Sequence, residues 1–175
     1  MNIIFLDIDE VMNSVVSTIH TRQRGKSSHD FDGFSPIAVA LLRELVALTD
    51  AKIVLSSTWR MFYKDKEQCI NDFEAKMEKY YGWIEFPIID MTPEISKYSH
   101  LSRGFEIQMW LELHHWTNYV IIDDSTSVLD MQKSNYVHVD YREGFNFATF
   151  QKCLNIFGIE NHYTAMGDEY KDDNI

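Results

Sequence analysis

Only two cysteines occur in the 175 residues, and Cys69 and Cys153 show neither C-x-x-C spacing nor any metal-ligand pattern. Their isolation argues against a disulfide scaffold and a thiolate zinc site, and both thiols read as reduced core residues suited to a reducing compartment. Positive charge is scarce as well: 16 Lys and Arg stand against 27 Asp and Glu, a net charge of −11. Such a surface repels polyphosphate, so non-specific attachment to duplex nucleic acid is not expected, although a local basic patch can still hold one phosphate. No apolar run reaches membrane-spanning length, and Met1 to Leu6 has no basic region before its short apolar stretch. Neither a signal peptide nor membrane contact is therefore expected, and the cytoplasm is the expected setting.

What is present has globular proportions, with 45% apolar and 25% charged residues, which excludes disordered, collagen-like and coiled-coil classes. The length suits one domain. Uniformly apolar runs at Ile3–Leu6, Ile53–Leu55, Phe86–Ile89, Tyr119–Ile122 and Tyr136–Val139 read as strands covered on both faces, as in a parallel sheet. Helical patterns lie between them over Pro36–Leu48, Met61–Tyr81 and Phe105–His114, with a short one near Ser127–Gln132. This alternation predicts an α/β fold. Ser35 before Pro36 is an expected N-cap, with Ile37, Leu41, Leu45 and Leu48 on one apolar face packed against the sheet. The polar stretch Ser14–Phe34 fits no pattern and reads as a long loop of the kind that is functional or mobile. The expected organisation is one catalytic domain over residues 1–160 followed by an acidic tail over 161–175.

Chemistry concentrates at the ends of the expected strands, where ligands collect in open α/β sheets. Asp7 and Asp9 follow the first, and two close carboxylates suit a hard divalent ion such as Mg²⁺, although a plain acidic surface turn is an equal reading of D-x-D alone. Ser56, Ser57, Thr58 and Arg60 follow the second. Hydroxyls and a guanidinium there can hold a phosphate oxygen, while an ordinary N-cap cluster is the plainer reading. Asp123 and Asp124 follow a later strand, and Arg103 opens the helix that feeds it, where a cation is mildly disfavoured unless something holds it. Ile107, Trp110 and Leu111 read as core, His114 and His115 as favourable charges at a helix end, and Asn13 as either a turn residue or a donor that orients Asp7 or Asp9.

The order of these elements, in the strings Phe5 to Asn13, Ile53 to Arg60, Arg103 to Leu111 and Val120 to Asp124, resembles the haloacid dehalogenase (HAD) superfamily of phosphotransferases. It resembles most closely the small HAD domains associated with RNA-repair proteins. The resemblance spans roughly Asn2 to Phe157. It implies a single Rossmann-like three-layer α/β/α domain with a mainly parallel sheet and a minimal cap, acting as a Mg²⁺-dependent phosphomonoesterase. In it Asp7 would be the nucleophile, Asp9 the proton carrier, Ser56 and Ser57 the holders of a phosphoryl oxygen, and Arg103 the third-motif cation, with Lys97 as substitute. Asp7, the carbonyl of Asp9, Asp123 and Asp124 would hold the metal. Glu10 occupies a position that is often Gly in the superfamily, and Arg103 one that is usually Lys.

The 14–34 loop and the 61–81 insertion are the expected specificity elements, and a minimal lid favours a nucleotide or the phosphorylated end of a nucleic acid as substrate. Arg22, Arg24 and Lys26 form an expected positive lip for it, with Asn13, Ser57 and Arg60 as further binding residues. Three rivals remain: a phosphatase of small metabolites, a degenerate HAD-like domain that binds a nucleotide or a partner protein, and a receiver-like module. Receivers place the hydroxyl later in the chain, which counts against the last.

Overall fold

A computed structural model describes residues 1–23, 25, 31–95 and 102–160. Five parallel strands, β1 (Asn2–Leu6), β2 (Lys52–Leu55), β3 (Ile88–Met91), β4 (Asn118–Asp123) and β5 (Tyr136–His138), form one sheet in the order β3-β2-β1-β4-β5. Among the described residues five α-helices connect or follow them: α1 (Val15–Gln23), α2 (Pro36–Thr49), α3 (Lys66–Tyr81), α4 (Ser102–Leu113) and α5 (Phe147–Phe157).

Strand alternation divides the core in two. Ile4 and Leu6 of β1 face a large cluster with Leu42 and Leu45 of α2, Phe73 and Met77 of α3, and Phe150 and Leu154 of α5. Ile3 and Phe5 point the other way, against Ile107, Trp110 and Leu111 of α4. The sheet is thus covered on both faces, which is why its strands read as unbroken apolar runs. Cys69 and Cys153 are buried free thiols, and burial pushes the Cys69 thiol up to about 12.

Local signals place the helix ends. Ser35 Oγ accepts from the Ala38 amide at 3.3 Å with Pro36 behind it, and the sequence expectation for this cap holds. The buried face of α2, however, is Ala38, Val39, Leu42 and Leu45, while Ile37 is 68% exposed, because the sheet meets the helix about one residue further round than the leucine pattern suggests. The helix expected from Met61 begins at Lys66. Thr58–Phe62 forms a separate 3₁₀ turn, and α3 buries Cys69, Phe73 and Met77 in the scaffold. The sequence expectations contain no helix at α5, although Asn146 caps it, Phe150, Cys153 and Leu154 recur at helical spacing, and Gly158 ends it with φ +72°.

The stretch expected to be a loop after Asn13 holds α1 and a 3₁₀ turn at Phe31–Gly33. Arg24, Lys26, Lys97 and the acidic tail lie outside the described residues.

Candidate active site

The parallel pairing of β1 with β4 brings Asp7 and Asp123 together. The Asp7 amide donates to the Ile122 carbonyl at 3.0 Å, one residue short of Asp123. Asp7 and Asp123 are buried, Asp124 is half-buried, and each offers a carboxylate oxygen within 4.8 Å of the others. Arg103, at the start of α4, joins them: its Nη1 lies 2.7 Å from Asp123 Oδ2 and 3.2 Å from Asp7 Oδ1. Gly104 makes this approach feasible. A Cβ there would stand 2.7 Å from the backbone nitrogen of Leu129, so any larger residue would lift the helix start off the segment it packs against.

One cation does not balance three acids in a buried space. Burial raises the Asp7 carboxyl above its ordinary value even though Arg103 pulls the other way. Burial and then the nearby Asp7 charge push Asp123 up to about 7. Burial, together with a hydrogen bond and charge repulsion from Glu10, pushes Asp124 up to about 6. Arg103 is held above its usual range, because Asp7 and Asp123 outweigh the burial that opposes its charge. Clustered oxygen donors with excess negative charge have the chemistry of a hard divalent-cation site, and the triad fits such an ion.

Asp9, two residues on, sits apart from this cluster. Its Oδ1 accepts from Asn13 Nδ2 at 2.9 Å and its Oδ2 from Trp59 Nε1 at 2.9 Å. The turn between them explains the unusual Glu10: its φ of +63° is left-handed backbone, where glycine is at ease, and here Asn13 Oδ1 accepts from the Glu10 amide at 2.7 Å to stabilise it. Asn13 therefore meets the expectation of a donor to Asp9. Trp59 is absent from the sequence expectations, since an indole is normally read as core; its place directly after the Ser56–Thr58 cluster is the signal that could have found it.

The hydroxyl cluster divides by role. Ser57 Oγ accepts from the Trp59 amide at 3.3 Å, as an N-cap does, and hydrogen-bonds Asp7, which favours the ionised carboxylate. Ser56 is fully buried and its Oγ has no hydrogen-bond partner among the described residues, an uncommon state for a buried hydroxyl.

Arg60 departs from expectation. Its Nη1 donates to the carbonyls of Ser56 (3.1 Å) and Ser57 (2.8 Å), and its Nη2 reaches the buried Glu106 carboxylate at 2.7 Å. The guanidinium is thus held beneath the loop as a clamp through both Nη atoms, while its Nε has no partner among the described residues. Arg22 lies on the last turn of α1, beside the cavity that Asp9 lines. Trp110, expected as core, is buried but also donates to Asp90 at 2.8 Å; His114 stacks on it and its Nδ1 meets the Trp110 carbonyl at 2.7 Å.

None of the described helices is long and apolar enough to cross a membrane. No curated protein and no solved structure matches the chain significantly. A family model does: that of the HAD domain in Swiss Army Knife RNA repair proteins, over residues 3–150, which takes in the whole sheet but for Asn2 and every acid of the cluster. The parallel α/β sheet, the acids at the ends of β1 and β4 and this match over most of the length agree, and the chain belongs to the family of HAD domains found in Swiss Army Knife RNA repair proteins.

Proposed function

We propose that the protein is a Mg²⁺-dependent phosphomonoesterase that works through an aspartyl-phosphate on Asp7, with a nucleotide or the phosphorylated end of a nucleic acid as substrate. The observation that carries this reading is the separation of two carboxylates two residues apart. Asp7 lies within a buried charged cluster beside Arg103, and Asp9 lies outside it between two neutral donors. Covalent phosphoryl transfer needs two carboxylates in different roles, an ionised nucleophile and a proton carrier, and a cation at the Asp7 cluster would offset the burial that raises the Asp7 carboxyl. The family's description as a domain of RNA repair proteins supports a nucleic-acid end over a small metabolite.

In the first step an Asp7 oxygen bonds to phosphorus as the bond to the leaving oxygen breaks, and Asp9 gives that oxygen its proton. In the second, water attacks the same phosphorus, Asp9 takes the water's proton, and inorganic phosphate leaves with the Asp7 carboxylate restored. Arg103 compensates charge on Asp7 and Asp123, and the buried hydroxyl of Ser56 is a donor for a phosphoryl oxygen. Asp7, the Asp9 carbonyl and Asp123, with Asp124 assisting, would hold Mg²⁺, which would supply the positive charge that lets an anionic nucleophile approach an anionic phosphate.

The test is release of inorganic phosphate from 5′- and 3′-phosphorylated oligonucleotides, mononucleotides and p-nitrophenyl phosphate, with and without Mg²⁺. Turnover is expected only with the ion, and Asp7→Asn should abolish it while leaving the thermal transition intact. Metal-independent turnover, or wild-type rates in Asp7→Asn, would remove the proposal; binding without turnover would favour a degenerate HAD-like binding domain.

A further inference from the structure

Helix α1 is built inside out. A helix on a protein surface ordinarily turns its apolar stripe inward. Here Ser17 and Thr21 are the buried residues, while Val15, Val16 and Ile19 are 41%, 62% and 54% exposed. The buried hydroxyl of Ser17 is satisfied locally, donating to the Ser14 carbonyl at 2.9 Å. The helix is also pinned: the amides of Val15 and Val16 donate to the carbonyls of Tyr141 (3.1 Å) and Arg142 (3.2 Å). A fixed helix that holds an apolar face toward solvent forgoes burial worth about 25 cal/mol per Å², which is what a ligand surface looks like before its ligand arrives.

That face has a definite neighbour. Val15, Thr18, Ile19 and Arg22 recur at the spacing that places them on one side of a helix, and with Asp9, Glu10 and Asn13 they line a cavity of about 470 Å³. The volume falls within the range of small-molecule sites. Asp9 stands at one end. Glu10, on the same wall, crowds Asp124 and raises its carboxyl, so the anionic part of a ligand is favoured away from Asp9 and Glu10 and toward Arg22. Arg22 stands at the other end, seven residues or about 10 Å along the helix from Val15.

This inference rests on the reading of Asp9 as proton donor. If Asp9 protonates the leaving oxygen, the rest of the leaving alcohol must start beside Asp9 and occupy the space that Asp9 lines. We infer that the groove along α1 takes the leaving group as a nucleoside, with its ring system on Val15 and Ile19 and a second phosphate at Arg22. A guanidinium suits a phosphate through paired N–H donors, and the aliphatic wall between the two ends suits an uncharged ring. The favoured substrates therefore carry two phosphates on one nucleoside: the scissile monoester at Asp7 and another, free or part of the next phosphodiester, at Arg22.

The experiment uses the full chain with Mg²⁺ and compares kcat/KM for p-nitrophenyl phosphate, a nucleoside monophosphate, a nucleoside 3′,5′-bisphosphate and a dinucleotide with a terminal phosphate. The second phosphate is expected to raise kcat/KM over the monophosphate at least about tenfold, as a charge-assisted contact of this kind does. Arg22→Gln should reduce that ratio to about twofold or less, and Ile19→Glu should lower the preference for nucleoside substrates over p-nitrophenyl phosphate. Both side chains are exposed, so the fold is expected to tolerate the changes, and the thermal transition checks this. Preference for the bisphosphate marks a free second phosphate as the group recognised, and preference for the dinucleotide marks a chain end; either supports the inference. Hydrolysis of p-nitrophenyl phosphate with no gain from a second phosphate, or a gain that survives Arg22→Gln, overturns the groove while leaving the phosphatase reading in place. Failure to hydrolyse any of the four overturns both.

Discussion

Asp7 and Asp9 are the same residue type two positions apart, and the protein gives them opposite surroundings. Asp7 is buried among charges, with Arg103 at 3.2 Å and two further acids within reach of a shared ion. Among the described residues Asp9 touches no cation; both its oxygens accept from neutral side chains, the Asn13 amide and the Trp59 indole. The contrast teaches that a D-x-D motif is two sites and not one. The left-handed turn at Glu10 follows the second acid, and separate donors then fix each carboxylate for separate work.

The sharpest way to break the contrast is to make the second acid unable to carry a proton. Asp9→Asn keeps the shape and the neighbours but should lower kcat by about 10²–10⁴-fold on substrates with poor leaving groups, and by less on p-nitrophenyl phosphate, whose leaving oxygen needs little protonation. An equal loss on both would mean that Asp9 does not protonate the leaving group.

A second test concerns the charged side alone. Asp7, Asp123 and Asp124 all have carboxyls raised by burial, Asp123 to about 7 and Asp124 to about 6. Groups raised in the folded state favour folding while protonated, so their contribution is present in full below the ordinary carboxylate value of about 4 and is lost as pH climbs through 6 to 7. The metal-free protein should therefore lose stability over that window. Mg²⁺ should restore more at pH 8 than at pH 5, because it binds the ionised carboxylates. Urea titrations at the two pH values, with and without Mg²⁺, measure this; a Mg²⁺ increment that does not change with pH would place the ion elsewhere.

The smallest effect sharpens the neutral side. Trp59→Phe keeps the ring in the cluster with Phe31 and Phe34 but removes the N–H that holds Asp9. A lost bond to a carboxylate predicts a fall in kcat of about tenfold with KM nearly unchanged. A rise in KM with kcat intact would make Trp59 a substrate contact.

The sheet and the acids at its strand ends were legible because both follow from patterns that burial enforces. Ile3 to Leu6 and Val120 to Ile122 are apolar on both faces, and the polar residues after them can only belong to a strand end. Helix α1 was illegible for the reason that makes it interesting: its buried positions are Ser17 and Thr21, so its apolar stripe points away from the core and no inward-facing pattern exists to read. Arg60 misled for a different reason. A guanidinium after a hydroxyl cluster suits a phosphate in sequence, and only the fold reveals that Glu106, from a helix much later in the chain, claims it. Trp59 shows the limit of reading residues one at a time, since its ring belongs to the core and its N–H to the site.

The strand order also fixes when, along the folding reaction, the acids first meet. The strands β1, β2 and β3 are contiguous in the sheet and all precede Thr92, so they can pair without bringing Asp7 near another acid of the cluster. Asp123 and Asp124 arrive only when β4 docks on the opposite edge of β1, the most distant pairing in sequence that the sheet makes. The electrostatic penalty of the site thus falls on a late, non-local step and leaves early collapse unburdened, so the docking of the second half of the chain is where the rate of folding should respond to divalent ions.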